Sequence, residues 1–331
     1  MNNDNEHKEG QEKISKEKSL NTSVNYRQVF DDISSKHTSK RRIINKVVSV
    51  VAIVFVIGAI IPLGSILLEV IKNGIAVISI QFLTQPPGSI GSGSGGIGPA
   101  IQGTLITVGL ASLIGAPIGI LSGIYLSEYA PAGSPKGGRE RAISFFANTI
   151  RLFNDVLTGL PSIVIGIVGY VTIVLAINSF SVWAGAFALS IIMIPIISRV
   201  TEETLKLVPN SLREAGYSLG ISKSKITLFI VLKNAKDGVL TGVILAISRI
   251  AGETAPLIMT ILGTSLFFTS LTGPVDALPL RIWRLASQPY ESAHAFGWGA
   301  ALVLILMILI LSASLRIIAR GRGIRVRTET I

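Results

Sequence analysis

Six runs of apolar residues, each near the length that crosses a lipid bilayer, divide this chain. An α-helix rises 1.5 Å per residue, so about 20 apolar residues cross the hydrocarbon layer. The runs lie at about 47–67, 103–125, 156–177, 182–198, 238–262 and 297–318. Hydrocarbon offers no water to backbone N–H and C=O groups, so a span must satisfy its own hydrogen bonds, as a helix does. The composition agrees: 49% of residues are hydrophobic and 15% charged, against about 25% charged in a soluble domain. The mean hydropathy is +0.61. The expectation is an all-α polytopic membrane protein with six transmembrane helices.

Charge sets the orientation. Assigned to alternate compartments between the runs, 26 Lys and Arg fall on one side and 3 on the other, with Arg249 inside the fifth run. Cytoplasmic loops carry such an excess, so both termini are expected in the cytoplasm of a multi-pass cell-membrane protein. The same rule absorbs the net charge of +11, which needs no nucleic-acid partner. Trp183, Trp283 and Trp298 all fall on the opposite side, where an interfacial aromatic belt would hold them against membrane lipid.

Residues 1–42 are polar and mixed in charge, and read as a disordered cytoplasmic tail outside the membrane domain at 43–320. The polar stretch is too long for a secretory signal. Residues 321–331 form a basic cytoplasmic tail. No cysteine is present, and His7, His37 and His294 are too scattered for a metal site. The Gly-rich stretch 91–98 fits G-x-G-x-x-G in more than one register. Without a βαβ unit or a following acidic residue it reads as a flexible external connector. No G-x-x-x-x-G-K-[ST] occurs, so the chain is not expected to bind ATP or Mg itself. Gly115, Gly119 and Gly123 stand four apart, the spacing of a close helix contact, and Pro117 should kink the same span. Arg139, Arg141 and Arg151 precede the third span and suit a lipid-facing cytoplasmic helix.

The stretch 211–256 carries the functional signals. Within a basic loop at about 200–236, Ser211 and Glu214 suit a capping box at the start of a short helix, and Gly220 suits its end. A second helix should start near Ser222. Leu212, Ala215, Leu219 and Ile221 give this unit an apolar side, to be buried on lipid headgroups or on a partner protein. Further on, Arg249 and Glu253 stand four apart, on one face of a helix. A lone charge at a span centre costs about 2.5–3.5 kcal/mol. The two either neutralise each other and pack helices, or line a path for an anion. Guanidinium stays charged and matches oxyanions bidentately. Thr254 follows, and Pro256 withholds the N–H that the Gly252 carbonyl would need, so the helix should kink there. Broken helices near the midplane are where transporters place their sites.

Glu214-Ala215-Gly216, Gly220, Ile230 and Leu232 are spaced as in the E-A-A-x3-G-x9-I-x-L-P signature, and the segment resembles the permeases of ABC importers. Two positions depart from it. Gly216 stands for the second Ala, which should loosen the helix by about 1 kcal/mol, and Lys233 stands for Pro. Ser248-Arg-Ile-Ala-Gly-Glu-Thr-Ala-Pro256 resembles the hallmark of one branch, the A-type permease subunits of phosphate importers. Gly95-Gly-Ile-Gly98 with Gly103-Thr104-Leu105, Gly119 to Ala130, and Gly159-Leu-Pro-Ser-Ile-Val164 extend the likeness over about 45–320.

The resemblance implies a type I ABC importer permease fold, with the loop helix seated in a groove of a cytoplasmic ATPase. It implies two copies of that ATPase, which hold ATP and Mg. It also implies a related C-type permease for the other half of the pore, and an external phosphate-binding protein. Ser211, Glu214, Ala215, Gly216, Gly220, Ile230 and Leu232 would then couple to the ATPase. Arg249, Glu253, Thr254 and Pro256 would line the path of inorganic phosphate. This chain would be a non-catalytic transport subunit. A stand-alone secondary transporter or channel, a permease for another oxyanion, and a scaffold recruiting a cytoplasmic protein are the alternatives.

Overall fold

The computed structural model describes residue 41 and residues 44–89, 94–130 and 137–320. Apart from Arg41, the tails expected at 1–42 and 321–331 lie outside the described residues. The chain forms two units, one ending at Leu68 and one beginning at Glu69. The first contains most of α1 (Ile44–Ile75), a rod of 32 residues with a hydropathy of 2.8, ample length for one crossing.

Every regular element of the second unit is helical among the described residues. A short α2 (Ile80–Thr84) is capped by the Ser79 hydroxyl, which accepts from the Phe82 N–H. The long α3 (Gly98–Tyr129) runs through Pro117 and closes in a π-turn at Tyr125–Tyr129. Then come α4 (Gly138–Gly159), α5 (Ser162–Ile177), α6 (Val182–Lys206) and α7 (Asn210–Ser218). One turn at Lys223–Lys225 and a π-turn at Ile226–Val231 lead into α8 (Leu232–Ala251). The chain finishes with α9 (Ala255–Thr260), α10 (Leu278–Ala286) and α11 (Glu291–Arg320).

The buried centre is α6, wrapped by α3, α5, α8 and α9 through Leu189, Met193, Ile197, Ile247, Ile250 and Leu257. Between helices in hydrocarbon the hydrophobic effect supplies little, so close approach and hydrogen bonds must hold them. The glycine stripe does this as expected. A Cβ on Gly119 would lie 2.8 Å from the Ile197 Cβ, and one on Gly123 would lie 2.6 Å from the Ser198 carbonyl oxygen. At the same contact Ser198 pairs with Ser122 and accepts from Asn154 of α4, both at 2.9 Å. Ser248 and Ser312 join α8 to α11 at 3.0 Å.

The spans differ from their expected bounds. Four helices (α1, α3, α6 and α11) are long and apolar enough to cross a membrane, and a fifth span results if α4 and α5 count as one bent pair. That pair turns through 106° at Leu160–Pro161, so the run expected at 156–177 is bent near its start and only Ser162–Ile177 belongs to α5. The cause is local: a residue before proline is pushed to extended backbone, and Leu160 sits at φ −73°, ψ 138°. Arg139, Arg141 and Arg151 fall on α4, the amphipathic helix so separated. The fourth span runs past residue 198 to Lys206, with Glu202 and Lys206 bonded at 2.6 Å in its last turn. The run expected at 238–262 is not among these helices: α8 carries Lys233, Lys236 and Asp237 in its first turns and ends at Ala251.

The glycine-rich stretch is also not a flexible connector where it is described. Gly95 takes φ +94° opposite Pro87, and the Ile97 N–H donates to the Phe82 carbonyl at 2.7 Å. Ile97 is buried with Phe82, Ala100 and Leu278. Residues 91–93 lie outside the described residues. Among the described residues no strand borders the stretch.

Candidate functional site

α3 and α6 run parallel, and both end beside α7, as the partners of the glycine stripe and of Arg213 show. At this end Pro209 precedes α7 at extended backbone. Ser211 is therefore inside the helix and exposed, no side chain caps its start, and the capping box with Glu214 does not form. Pro209 itself holds the cap position and fixes the entry of the chain, and the Leu212 N–H turns back on its carbonyl at 3.2 Å. Glu214 and Ala215 are exposed too. The other end is as expected. Gly220 takes φ +70°, with the Gly220 N–H on the Tyr217 carbonyl at 2.9 Å and the Ile221 N–H on the Gly216 carbonyl at 3.2 Å. These are the two bonds of a Schellman motif, which needs a left-handed residue there.

The anchor of α7 is a residue the sequence reading passed over. Arg213 donates to both oxygens of Glu128, at 2.6 and 3.3 Å, and also to the carbonyls of Val208 at 2.6 Å and Leu205 at 2.9 Å. Only 15% of the Arg213 side chain and 6% of that of Glu128 are exposed, so water solvates neither charge well and protein groups must do so. Glu128 comes from the π-turn of α3 and Leu205 from the end of α6, so one guanidinium ties α7 to both. The signal was the carboxylate of Ser127-Glu128-Tyr129, sitting at the end of an apolar run with no partner nearby in sequence.

Gly216 is the buried residue of α7. A Cβ there would lie 2.9 Å from the Ile226 Cδ1 and 3.3 Å from the Ile230 Cδ1, so glycine lets α7 rest on the π-turn that leads to α8. Ile230 and Leu232 pack on the cluster of Leu205, Val208, Ile226 and Val231. Leu207 and Leu219 are about four-fifths exposed, at 82% and 79%, with Leu212 and Tyr217 also uncovered.

The charge pair lies at a break. α8 stops at Ala251, and Gly252, Glu253 and Thr254 are outside any helix. Arg249 and Glu253 therefore do not share a helix face; they meet at 3.4 Å across a helix end. Pro256 does more than kink the span. It sits in the first turn of α9, a new helix whose Leu257 and Ile258 N–H groups turn back on the Thr254 carbonyl at 3.1 Å. Gly252 is exposed, and its carbonyl has no helical partner.

Depth follows from the glycine contacts. A Cβ on Gly242 would meet Val200 and one on Gly238 would meet Thr204, so α8 is antiparallel to α6. Arg249 is seven residues beyond Gly242, which brings it level with Met193, near the middle of the 25 residues of α6. At this depth its side chain is 59% exposed, and its one ion pair among the described residues is the long contact to Glu253. A guanidinium so placed cannot face lipid cheaply, and it presents unfilled N–H groups to whatever lies alongside. A second exposed pair, Arg199 with Asp155 at 3.6 Å, lies nearer the α7 end. Among the described residues no group of His, Asp and Glu could hold a metal ion.

What these parts share is transmission: a helix outside the spans is joined by side-chain bonds and packing to the spans, one of which is broken at a charge. That is the build of a membrane permease subunit. The family model for binding-protein-dependent transport system inner membrane components matches residues 131–324, and the chain belongs to that family. Its curated relatives include the phosphate transport system permease protein PstA of Yersinia pestis, 39% identical over 81% of this chain and 87% of that protein. The protein of the same name from Haemophilus influenzae is 41% identical over 79% of this chain and 89% of its own. The probable one from Methanocaldococcus jannaschii is 34% identical over 81% and 90%. Among solved structures, a chain of the MetNI methionine ABC transporter in inward-facing form matches with a TM-score of 0.55. At 16% identity over 68% of this chain and 96% of that one, it shows the fold alone.

Proposed function

We propose that this chain forms one half of the membrane path of an ATP-driven importer of inorganic phosphate. The observation that carries the reading is the set of relatives named as phosphate transport permeases, at 34–41% identity over about four-fifths of the chain. A related C-type permease supplies the other half, two copies of a cytoplasmic ATPase bind ATP and Mg, and an external phosphate-binding protein delivers the ion. Both termini and α7 face the cytoplasm, which agrees with the distribution of Lys and Arg. The membrane domain spans 43–320 with six crossings, α8 and α9 together making the broken fifth, and the tails at 1–42 and 321–331 are cytoplasmic. α7 with Ser211, Glu214, Ala215, Gly216 and Gly220 docks on the ATPase. The uncovered Leu207, Leu212, Tyr217 and Leu219 supply apolar area for that contact. Ile230 and Leu232 hold the docking unit from behind. Arg249 meets the phosphate, Glu253 keeps the hold weak enough for release, and Thr254 and Pro256 shape the break.

The test is uptake of labelled phosphate in cells lacking their own high-affinity system, supplied with the neighbouring transport components, with and without this chain. The expected result is uptake that needs the chain and resists excess sulfate or molybdate. An assembled complex with no chain-dependent phosphate uptake would return the cargo to open.

A further inference from the structure

At the end of the bundle opposite α7, α10 and the start of α11 enclose a cavity of about 260 Å³ with the residues that lead into α3. Two arginines of α10 line it, Arg281 and Arg284, together with Ser265, Gln288, Gly96 and Phe296. No Asp or Glu lines it. The lining carries two guanidiniums and no carboxylate, while Asp276 behind it offsets one of the two charges, so the recess is left net positive.

The bonds around the recess fix both guanidiniums yet leave part of each fork unused. Arg281 is 10% exposed and donates its Nε to Asp276 at 2.6 Å and its Nη2 to the Thr264 carbonyl at 3.0 Å. Its Nη1 bonds to nothing among the described residues. Asp276 lies behind it, fully buried, and holds Arg281 through one oxygen. Arg284, one turn on, donates its Nη2 to the Leu262 carbonyl and has no carboxylate partner among the described residues. Both arginines thus grip the corner at Leu262, Gly263 and Thr264, where φ is +63° and +72° at the first two. A corner staple alone would not need two charges and one acid, which leaves a net positive recess.

We infer that this cavity is an outer receiving site for a tetrahedral oxyanion, held by Arg281 and Arg284 before the ion reaches Arg249. The inference rests on the phosphate reading and orientation proposed above, and assigns the first stop of that cargo within this chain. Inorganic phosphate is the probe, since its oxygens accept from two guanidinium forks at once.

The chain has no cysteine, so Gln288→Cys on the cavity wall gives it one addressable thiol within the assembled complex. Ser265→Cys repeats the measurement if the first variant fails to assemble. Alkylation of that thiol is followed with inorganic phosphate, with chloride at matched ionic strength, and with phosphate-free binding protein. Phosphate, but not chloride, is expected to slow the reaction. Adding Arg284→Gln should raise the phosphate required about tenfold, the loss of one charge-assisted bond. Arg284→Lys should raise it less, and Arg249→Gln should leave the protection intact. Unchanged protection in Arg284→Gln overturns the site. So does an absence of protection in a complex that transports phosphate, and then the transport reading stands. Protection in an assembled complex that moves no phosphate keeps the site and sinks the transport reading. Protection by the binding protein alone means that the recess grips a carboxylate of that protein, and overturns the anion site.

Discussion

Arg213 and Glu128 form a two-bond ion pair, at 2.6 and 3.3 Å, between a helix outside the spans and the end of α3. Breaking a buried pair on one side leaves a charge without a partner and costs about 3–5 kcal/mol. Arg213→Ala is therefore expected to lower the melting temperature of the purified complex and to uncouple ATP hydrolysis from uptake. Glu128→Gln removes the charge but keeps an acceptor, and should do less harm to stability. Equal melting temperatures for wild type and Arg213→Ala would show that the pair holds nothing.

Gly216 sets helix propensity against space. Alanine would favour the helix by about 1 kcal/mol. Its Cβ would, however, press on Ile226 at 2.9 Å, and overpacking costs about 1–3 kcal/mol. The clash wins or draws: Gly216→Ala should be neutral to mildly destabilising, and Gly216→Val strongly so. Ile226→Val in the Gly216→Ala background should restore stability, which a thermal melt of the complex would read directly.

The contact of α3 with α6 has no spare room at Gly119 or Gly123. Either residue changed to Leu should abolish recovery of an assembled complex, since backbone and Cβ atoms stand in the way. Gly109 has open space around it, and Gly109→Ala should assemble normally in the same preparation.

For the path itself, Arg249→Gln should abolish or sharply reduce phosphate uptake while the complex still assembles. Normal uptake by that variant would remove Arg249 from the mechanism. If α7 docks as proposed, Glu214→Lys should weaken copurification of the ATPase, because the exposed carboxylate of Glu214 is replaced by the opposite charge. Unchanged association and coupling would mean that α7 is not the docking element.

The helical class, the glycine contact of α3 and the glycine end of α7 were legible because each follows from a local rule: length, spacing, or a left-handed residue after a helix. Span bounds were less so. Hydropathy does not register that Pro161 turns the chain, or that Glu202 and Lys206 satisfy each other and let α6 run on. Ser211 and Glu214 have the spacing of a capping box, but Pro209 decides where the helix begins. The Arg213–Glu128 pair was hidden by a separation of 85 residues. Arg249 and Glu253 were found by charge, yet their relation was misread, since four-residue spacing means a shared face only while the helix lasts.

The break between α8 and α9 separates two pieces with different allegiances, with Arg249 on the first and Glu253 in the break itself. α9 is pinned to α5, where a Cβ on Gly166 would lie 2.7 Å from the Pro256 Cα, and to the start of α6, where the Ser181 N–H donates to the Thr260 carbonyl. α8 is joined at its far end, through the π-turn, to the seat of α7 on Ile226 and Ile230. In the function proposed above, a swing imposed on α7 and carried along α8 would be taken up at Gly252–Thr254, the segment that carries Glu253. Arg249 lies before that segment and Glu253 within it, so their separation would change with the angle between the two pieces. In the function proposed above, the grip of the guanidinium on a passing anion would then depend on how far its own counter-ion has been turned away.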